Sequence, residues 1–418
     1  MSEHVTTQPA RQEAAHTAHF SAPYGTVAEA LAIAEFGVQS GTVSAAQRGV
    51  LLTTGTGSTL TLTTFDFDTA VTVSLPVTTA TTGTSLLHHG ELKKTLTAMV
   101  AGETKATATR TAVALKGDLL VTDHLSLPIS TLELPEFTHP PQAAPIAATV
   151  DAPRFLSQLQ RVLPAAGTDE TLPALTGVRM SLEGQTLTMS ATDRYRFAVA
   201  EVPTTLDAEP PQEAQSALVP ANVLARLAKR LKTYDGPVEI GFTTTDGTPR
   251  ATLTMGTTTV TIRQLEGAQI RHRSLFPTTA DTSLTIDRAT TLRALKKCHA
   301  LIKAKGEPAS PVSFTFAADG SLTLAPCTGT TEARARTKGM AITSTTIAGK
   351  TPQDREVAIN PKYLTEAITA FDGDTITLHL RDEVKGSPLK PVLLTAGPHV
   401  TGEDYRHLLM PVRLDRTA

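Results

Sequence analysis

Three times along the chain, hydrophobic and polar residues alternate on both sides of a glycine-containing turn. The first instance runs from Arg48 through Gly49, Val50, Leu51 and Leu52, past Gly57, to Leu60–Asp66. The second occupies Gly177–Asp193, with Glu183, Gly184 and Gln185 at its centre. The third runs from Pro311 to Leu324 around Asp319 and Gly320. Period-two alternation broken by a glycine turn is the pattern of a hairpin with one buried face, so each instance predicts two paired strands. Helical periodicity opens each repeat, at Val27–Phe36, Pro153–Leu163 and Arg288–Lys305. It returns after each hairpin, at Glu91–Met99, Ala221–Lys232 and Pro361–Phe371. Two helices and many short strands in a unit of about 130 residues predict an α+β fold repeated three times, with helices covering one face of each sheet. The expected divisions are a disordered lead-in over 1–17, then domains over 18–142, 143–278 and 279–418. The joints fall in the Pro- and Thr-rich stretches near His139–Pro145 and Pro277–Asp281.

Composition changes this picture in three ways. The 418 residues are 40% hydrophobic, enough for sizeable cores, and about one residue in six is threonine, whose branched Cβ suits strands. Two cysteines, Cys298 and Cys327, are too few for a disulfide scaffold, a four-cysteine zinc site or an iron–sulfur cluster. No run of eighteen apolar residues occurs and the N-terminus lacks the pattern of a signal peptide, so a soluble cytoplasmic protein is expected, with no membrane partner.

Net charge is −2, which excludes a uniformly basic coat, but the cations are concentrated. Arg226–Lys232 carries Arg226, Lys229, Arg230 and Lys232 with no acid. Arg288–Lys305 carries Arg288, Arg293, Lys296, Lys297, Lys303 and Lys305, also with no acid. Lys93 and Lys94 in the first repeat, and Arg154 and Arg161 in the second, extend the pattern more thinly, while Glu29 and Glu35 run against it. A single such helix is usually just a solvated face. Several in a slightly acidic chain point to a polyanion, most simply nucleic-acid phosphates held without base reading.

Two stretches resemble one family. Leu172–Val178 continuing through Ser190, Ala191, Thr192, Asp193, Arg194, Tyr195, Arg196, Phe197, Ala198 and Val199 resembles the middle domain of the bacterial DNA polymerase III β sliding clamp. The ending Leu408, Leu409, Met410, Pro411, Val412, Arg413, Leu414 is similar to that family's C-terminal signature. The resemblance implies three clamp domains per chain and a head-to-tail homodimeric ring, with helices lining the hole and sheets outside, encircling duplex DNA. It implies a processivity factor that tethers the DNA polymerase III α subunit, the clamp loader and repair polymerases by short linear motifs. The DNA-facing residues implied are Lys93, Lys94, Arg154, Arg161, Arg226, Lys229, Arg230, Arg293, Lys296, Lys297 and Lys303.

For the peptide-binding cleft, the resemblance implies Leu175, Thr192, Arg194, Tyr195, Arg196 and Phe197 from the middle repeat and Ile270, Ser274 and Leu275 from the connector. From the last repeat it implies Tyr363, Pro391, Leu408, Met410, Pro411, Val412, Arg413 and Leu414. Phe197, Ile270, Leu275, Leu408, Met410 and Val412 would form a greasy pocket, within which Met adapts to several partners. For the dimer interface it implies Leu127 and Ile129 against Leu301 and Ile302. Departures from the family lie at Gly41–Gln47, where an apolar Leu-Pro stretch is usual, and at Gln269–His272, where Phe-Pro is typical. They leave open a divergent paralogue serving repair or resistance to a clamp-targeting inhibitor.

No glycine-rich phosphate loop, nucleophile elbow or metal-spaced His/Cys cluster is present, so the sequence predicts no catalytic residue, no metal and no cofactor. A different class, a Thr-rich structural β protein, would predict an export signal and no cationic helices.

Overall fold

The computed structural model describes residues 17–38, 44–55, 57–205, 215–244, 247–267, 275–317, 319, 321–349, 355–382 and 389–414. The connector 269–272, all but the last residue of the expected disordered lead-in, and Gly41–Val43 of the stretch Gly41–Gln47 lie outside them. Six helices carry the repeat: α1 (Tyr24–Ala34), α2 (His89–Met99), α3 (Ala152–Val162), α4 (Ala221–Arg230), α5 (Arg288–Lys305) and α6 (Pro361–Thr369). Their starts are written locally. The Asp151 side chain accepts from Arg154 N, that of Asp287 from Thr290 N, and that of Asn360 from Lys362 N and Tyr363 N, which satisfies first-turn amides. The hydrogen bonds from Thr290 also hold the Asp287 carboxyl below its usual range. Helix α5 stops at Gly306, whose φ of 70° is left-handed and comfortable only without a Cβ.

The chain forms two compact units, residues 1–145 with 239–263, and residues 146–238 with 264–418. In the first, Val27, Leu31 and Ile33 of α1 and Leu92 and Leu96 of α2 are buried. The predicted hairpin is present as Gly49–Thr54 paired with Thr59–Phe65, with Leu52 opposite Leu62. Thr69–Pro76 continues the meander and also pairs, antiparallel, with Thr258–Arg263, placing Thr258 opposite Val73. A second sheet of five strands ends on Ser126–Pro128. Residues 239–263, at the end of the expected middle domain, pack with the first unit through the pairing of Thr258–Arg263 with Thr69–Pro76. Alternation fixes which face of a strand is buried, not which sheet edge it joins.

The second unit is built on nine antiparallel strands in the order Gln215–Pro220, Gly177–Glu183, Thr186–Thr192, Arg196–Pro203, Tyr405–Leu409, Val392–Thr395, Thr375–Leu380, Thr282–Asp287 and Ser344–Gly349. The predicted Gly177–Asp193 hairpin turns between Glu183 and Thr186. The third hairpin pairs Val312–Phe316 with Leu322–Pro326 in a separate four-stranded sheet. Phe155, Phe314, Phe316 and Phe371 are fully buried.

Two histidines sit inside the nine-stranded sheet. His379 lies between the hydroxyls of Ser283 and Thr395, each 2.8 Å away, and His407 Nδ1 is 2.8 Å from the Tyr405 hydroxyl. Burial pushes their imidazoles down to about 4 and about 3, from an ordinary 6.5. Below pH 6.5 the unfolded chain binds protons that the folded chain refuses, so these groups cost stability as pH falls from about 6.5 toward about 4. We expect the urea midpoint to hold above pH 7 and then to drop, each histidine contributing up to about 1.4 kcal/mol per pH unit. A midpoint unchanged between pH 7 and 5 would contradict neutral burial.

Candidate functional site

The strand Thr186–Thr192 turns into Arg196–Pro203 through Asp193, Arg194 and Tyr195, and local chemistry fixes that turn. Asp193 Oδ1 accepts from the amides of Tyr195 (3.0 Å) and Arg196 (3.1 Å), while Thr192 Oγ1 accepts from Arg194 N at 3.1 Å and donates to Arg196 O at 2.6 Å. Arg194 takes φ of 79°, a left-handed conformation unusual for a side-chain-bearing residue and held here by those bonds. The turn leaves Tyr195 57% exposed and turns Arg196 inward, where it is 5% exposed.

Arg196 is the hub. Its Nε donates to Asp193 Oδ2 at 3.0 Å, one terminal nitrogen donates to Glu366 Oε2, and the guanidinium lies 4.3 Å from the Tyr363 ring centre. A buried guanidinium needs such partners, and two carboxylates with one aromatic face supply them. Tyr195 stacks on Tyr363 at 6.3 Å. Burial and the nearby Asp193 charge push the Tyr363 phenol up.

One residue further along, Phe197 stands opposite Leu408, because Arg196–Pro203 pairs with Tyr405–Leu409. These two cluster with Val199, Phe276 and Leu393, and Phe276 meets Phe197 edge-on at 5.7 Å. Above this floor opens a cavity of about 320 Å³. Its wall is formed by Leu175, Thr192, Arg194, Arg196, Phe197, Leu275, Pro391, Leu408 and Met410. Leu275 is 50% exposed and Met410 39%, so the rim is apolar and open to solvent. An apolar well of this size with charge at its lip accepts one or two large side chains and orients the backbone that carries them.

Nine residues named from the sequence thus converge on one concavity, and Tyr195 and Tyr363 stack together. Ile270 and Ser274 lie outside the described residues. The C-terminal signature divides: Met410 joins this wall, while Val412, Arg413 and Leu414 line a separate cavity of about 430 Å³ with Glu307–Pro311, Cys327, Gly329 and Arg334. Val412 therefore leaves the expected greasy pocket, because its amide bonds to Ala358 O at 2.8 Å and draws the tail to another strand. Glu366 and Phe276, which support the site from behind, carry no local signal in the sequence.

The cationic helices present Lys94, Arg226, Lys229, Arg230, Arg293, Lys296, Lys297 and Lys303 to solvent. Helix α3 packs beside α4, and α5 beside α6. Three expected charges are offset by acids distant in sequence. Lys93 pairs with Glu35 at 2.5 Å, Arg154 with Asp404 at 2.7 Å, and Arg161 with Asp372. Arg161 also lies over the Tyr405 ring. Of the four residues expected at a subunit contact, Leu127 is 37% and Leu301 49% exposed, but Ile129 and Ile302 are each only 4% exposed. The strand ends at Pro128, which breaks alternation and turns Ile129 inward. Adjacent helical residues point about 100° apart, so with Ile302 turned into the core Leu301 is left at the surface. Only the two leucines are available as surface contacts. Among the described residues no group of three or more His, Cys, Asp or Glu could hold a metal ion, and no helix is long and apolar enough to cross a membrane.

Residues 149–269 match the family described as DNA polymerase III beta subunit, central domain, and residues 273–413 match its C-terminal domain. The beta sliding clamp of Streptomyces coelicolor is 34% identical over 300 residues, 68% of this chain and 72% of the relative. The beta sliding clamp homolog GriR of Streptomyces muensis is 29% identical over 296 residues, 70% of this chain and 74% of that one. Among solved structures, the Pseudomonas aeruginosa sliding clamp bound to griselimycin superposes with a TM-score of 0.73 at 18% identity, covering 95% or more of both chains. Fold and sequence together define a DNA sliding clamp, which displaces the Thr-rich structural alternative. The chain belongs to the bacterial DNA polymerase III β subunit family.

Proposed function

We propose that this clamp closes head to tail with a second copy around duplex DNA, in the cytoplasm, and works as a tether that makes and breaks no bond. Each chain contributes three domains, 18–142, 143–278 and 279–418, and the exposed cations of α2, α4 and α5 face the duplex. Phosphate attraction that is weak per contact and blind to sequence holds the DNA centred while leaving it free to slide. The DNA polymerase III α subunit, the clamp loader and repair polymerases dock a short linear peptide in the cavity floored by Phe197 and Leu408. The observation that carries this reading is the convergence of Leu175, Thr192, Arg194, Phe197, Leu275 and Met410 on one open apolar well. An aliphatic or aromatic anchor fills such a well, and Met410 adapts its shape to more than one partner.

Topological linkage is tested by loading the clamp on a circular plasmid and then cutting the plasmid once. The half-life of the bound clamp should collapse on linearisation. Equal loss from circle and line would refute encirclement. The cationic lining is tested by K296E/K297E, both positions exposed on α5. The double variant should keep its unfolding midpoint and lose retention on circular DNA. The dependence of log affinity on log salt should weaken by about 0.9 for each phosphate contact removed. Unchanged retention at low salt would remove α5 from the lining.

A further inference from the structure

The sheet topology contains the same junction twice and half of it twice more. Thr69–Pro76, the third strand of the first meander, receives Thr258–Arg263 as an antiparallel neighbour, and Arg196–Pro203, third in the second meander, receives Tyr405–Leu409. Each time the incoming strand ends the next repeat. The third meander ends on Met340–Ile342, the outer strand of its four-stranded sheet, with no strand beyond it among the described residues. The strand that ends the first repeat, Ser126–Pro128, is likewise the outer strand of its sheet. Of this repeated junction, the described residues therefore leave one donor and one acceptor unfilled, and unpaired edges are places where a second copy adds.

Antiparallel pairing, as at both filled junctions, fixes which ends meet. The chain leaving Pro128 runs alongside the chain entering Met340. At the first of these ends sits Asp118, because Ile129 N bonds to Asp118 O at 2.7 Å, and Glu133 follows shortly after. At the second sit Arg336 and Lys338, between the short helix Thr331–Ala335 and the strand. All four side chains are exposed. Lys116 beside the acids and Glu332 beside the bases oppose the pattern singly. Leu119, Leu125 and Leu127 add exposed apolar surface on the donor side.

We propose that the joint between copies is keyed by charge, with Asp118 and Glu133 of one chain facing Arg336 and Lys338 of the other. This rests on the ring reading above and adds a selection rule to it. A ring of two has two identical joints, so every mismatch counts twice, and a clamp of the opposite polarity at these positions is excluded from mixed rings. Like charges brought together at a joint raise its dissociation constant steeply, and complementary ones speed encounter.

The test uses two full-length variants, D118K/E133K and R336E/K338E, followed by sedimentation equilibrium at low salt. Each alone places like charges at both joints and should dissociate about 100-fold more readily than the unaltered chain. Mixed in equal amounts they form a pair in which one joint is reversed and the other native, both complementary, so dimers should reappear. A circular dichroism melt unchanged in each variant shows that folding is intact. Variants that dimerise as well as the unaltered chain, or a mixture that stays monomeric, would overturn the charge key while leaving the ring intact. An unaltered chain that is monomeric at every concentration would overturn the ring itself.

Discussion

Replacing Arg196 with Ala should lower the free energy of unfolding by about 3–5 kcal/mol, the cost of removing one partner from a buried ion group. The guanidinium is 5% exposed, and the Asp193 and Glu366 side chains it joins are 12% and 32% exposed. Deleting it leaves Asp193 charged and largely enclosed, with the amides of Tyr195 and Arg196 and the Tyr363 side chain as remaining hydrogen-bond partners, and removes the cation resting on Tyr363. The loss is larger than that of a surface pair, where water replaces the partner at little cost. Arg196→Lys should recover only part of it, because a point charge on a flexible stem cannot serve Asp193, Glu366 and the Tyr363 face together. The triple change R196M/D193N/E366Q, which removes all three charges at once, should be more stable than Arg196→Ala by itself. Urea unfolding of the three variants measures this order. A midpoint for Arg196→Ala within experimental error of the unaltered protein would mean that the two acids are solvated and that the turn does not depend on the cation.

The parts of this molecule that could be read from the sequence are those whose cause is local. Period-two runs around Gly184 give the hairpin Gly177–Thr192, since one strand face must be buried and a left-handed residue must turn it. Asp151, Asp287 and Asn360 mark helix starts because a short side-chain acceptor reaches the first-turn amides whatever surrounds it. The cavity has no such cause. Phe197 meets Leu408 only because two strands far apart in the chain become neighbours, and both residues look like ordinary core to any periodicity argument. Family resemblance supplied what pattern could not. Pattern is equally silent on the ion-pair partners of Lys93, Arg154 and Arg161, which look bare on their helices but are met by Glu35, Asp404 and Asp372 from remote segments. The buried state of Ile129 follows from where a three-residue strand ends, a boundary that alternation cannot place.

Truncation after Leu409 should abolish capture of a partner peptide while leaving the chain folded. Leu409 is the last residue of its strand and keeps its ladder partners Arg196 and Val392, so the nine-stranded sheet is not shortened. What leaves is the part of the cavity wall that Met410 forms. Met410 supplies exposed apolar surface there, and its amide donates to Tyr195 O at 2.8 Å, securing the turn that presents Arg194. Burying a Met side chain against a ligand is worth roughly 1.5–3 kcal/mol, so Met410→Ala by itself should weaken binding about tenfold or more. Losing the turn's anchor and the tail bond from Val412 N to Ala358 O as well should carry the loss to about 100-fold or beyond. Fluorescence anisotropy of a labelled peptide bearing an aliphatic–aromatic anchor reads this directly, with the unfolding midpoint as the control. If the truncated protein binds that peptide as tightly as the full chain, the anchor sits somewhere other than over Phe197 and Leu408. The second cavity would not rescue the reading, because Val412, Arg413 and Leu414 form part of its wall and would be gone too.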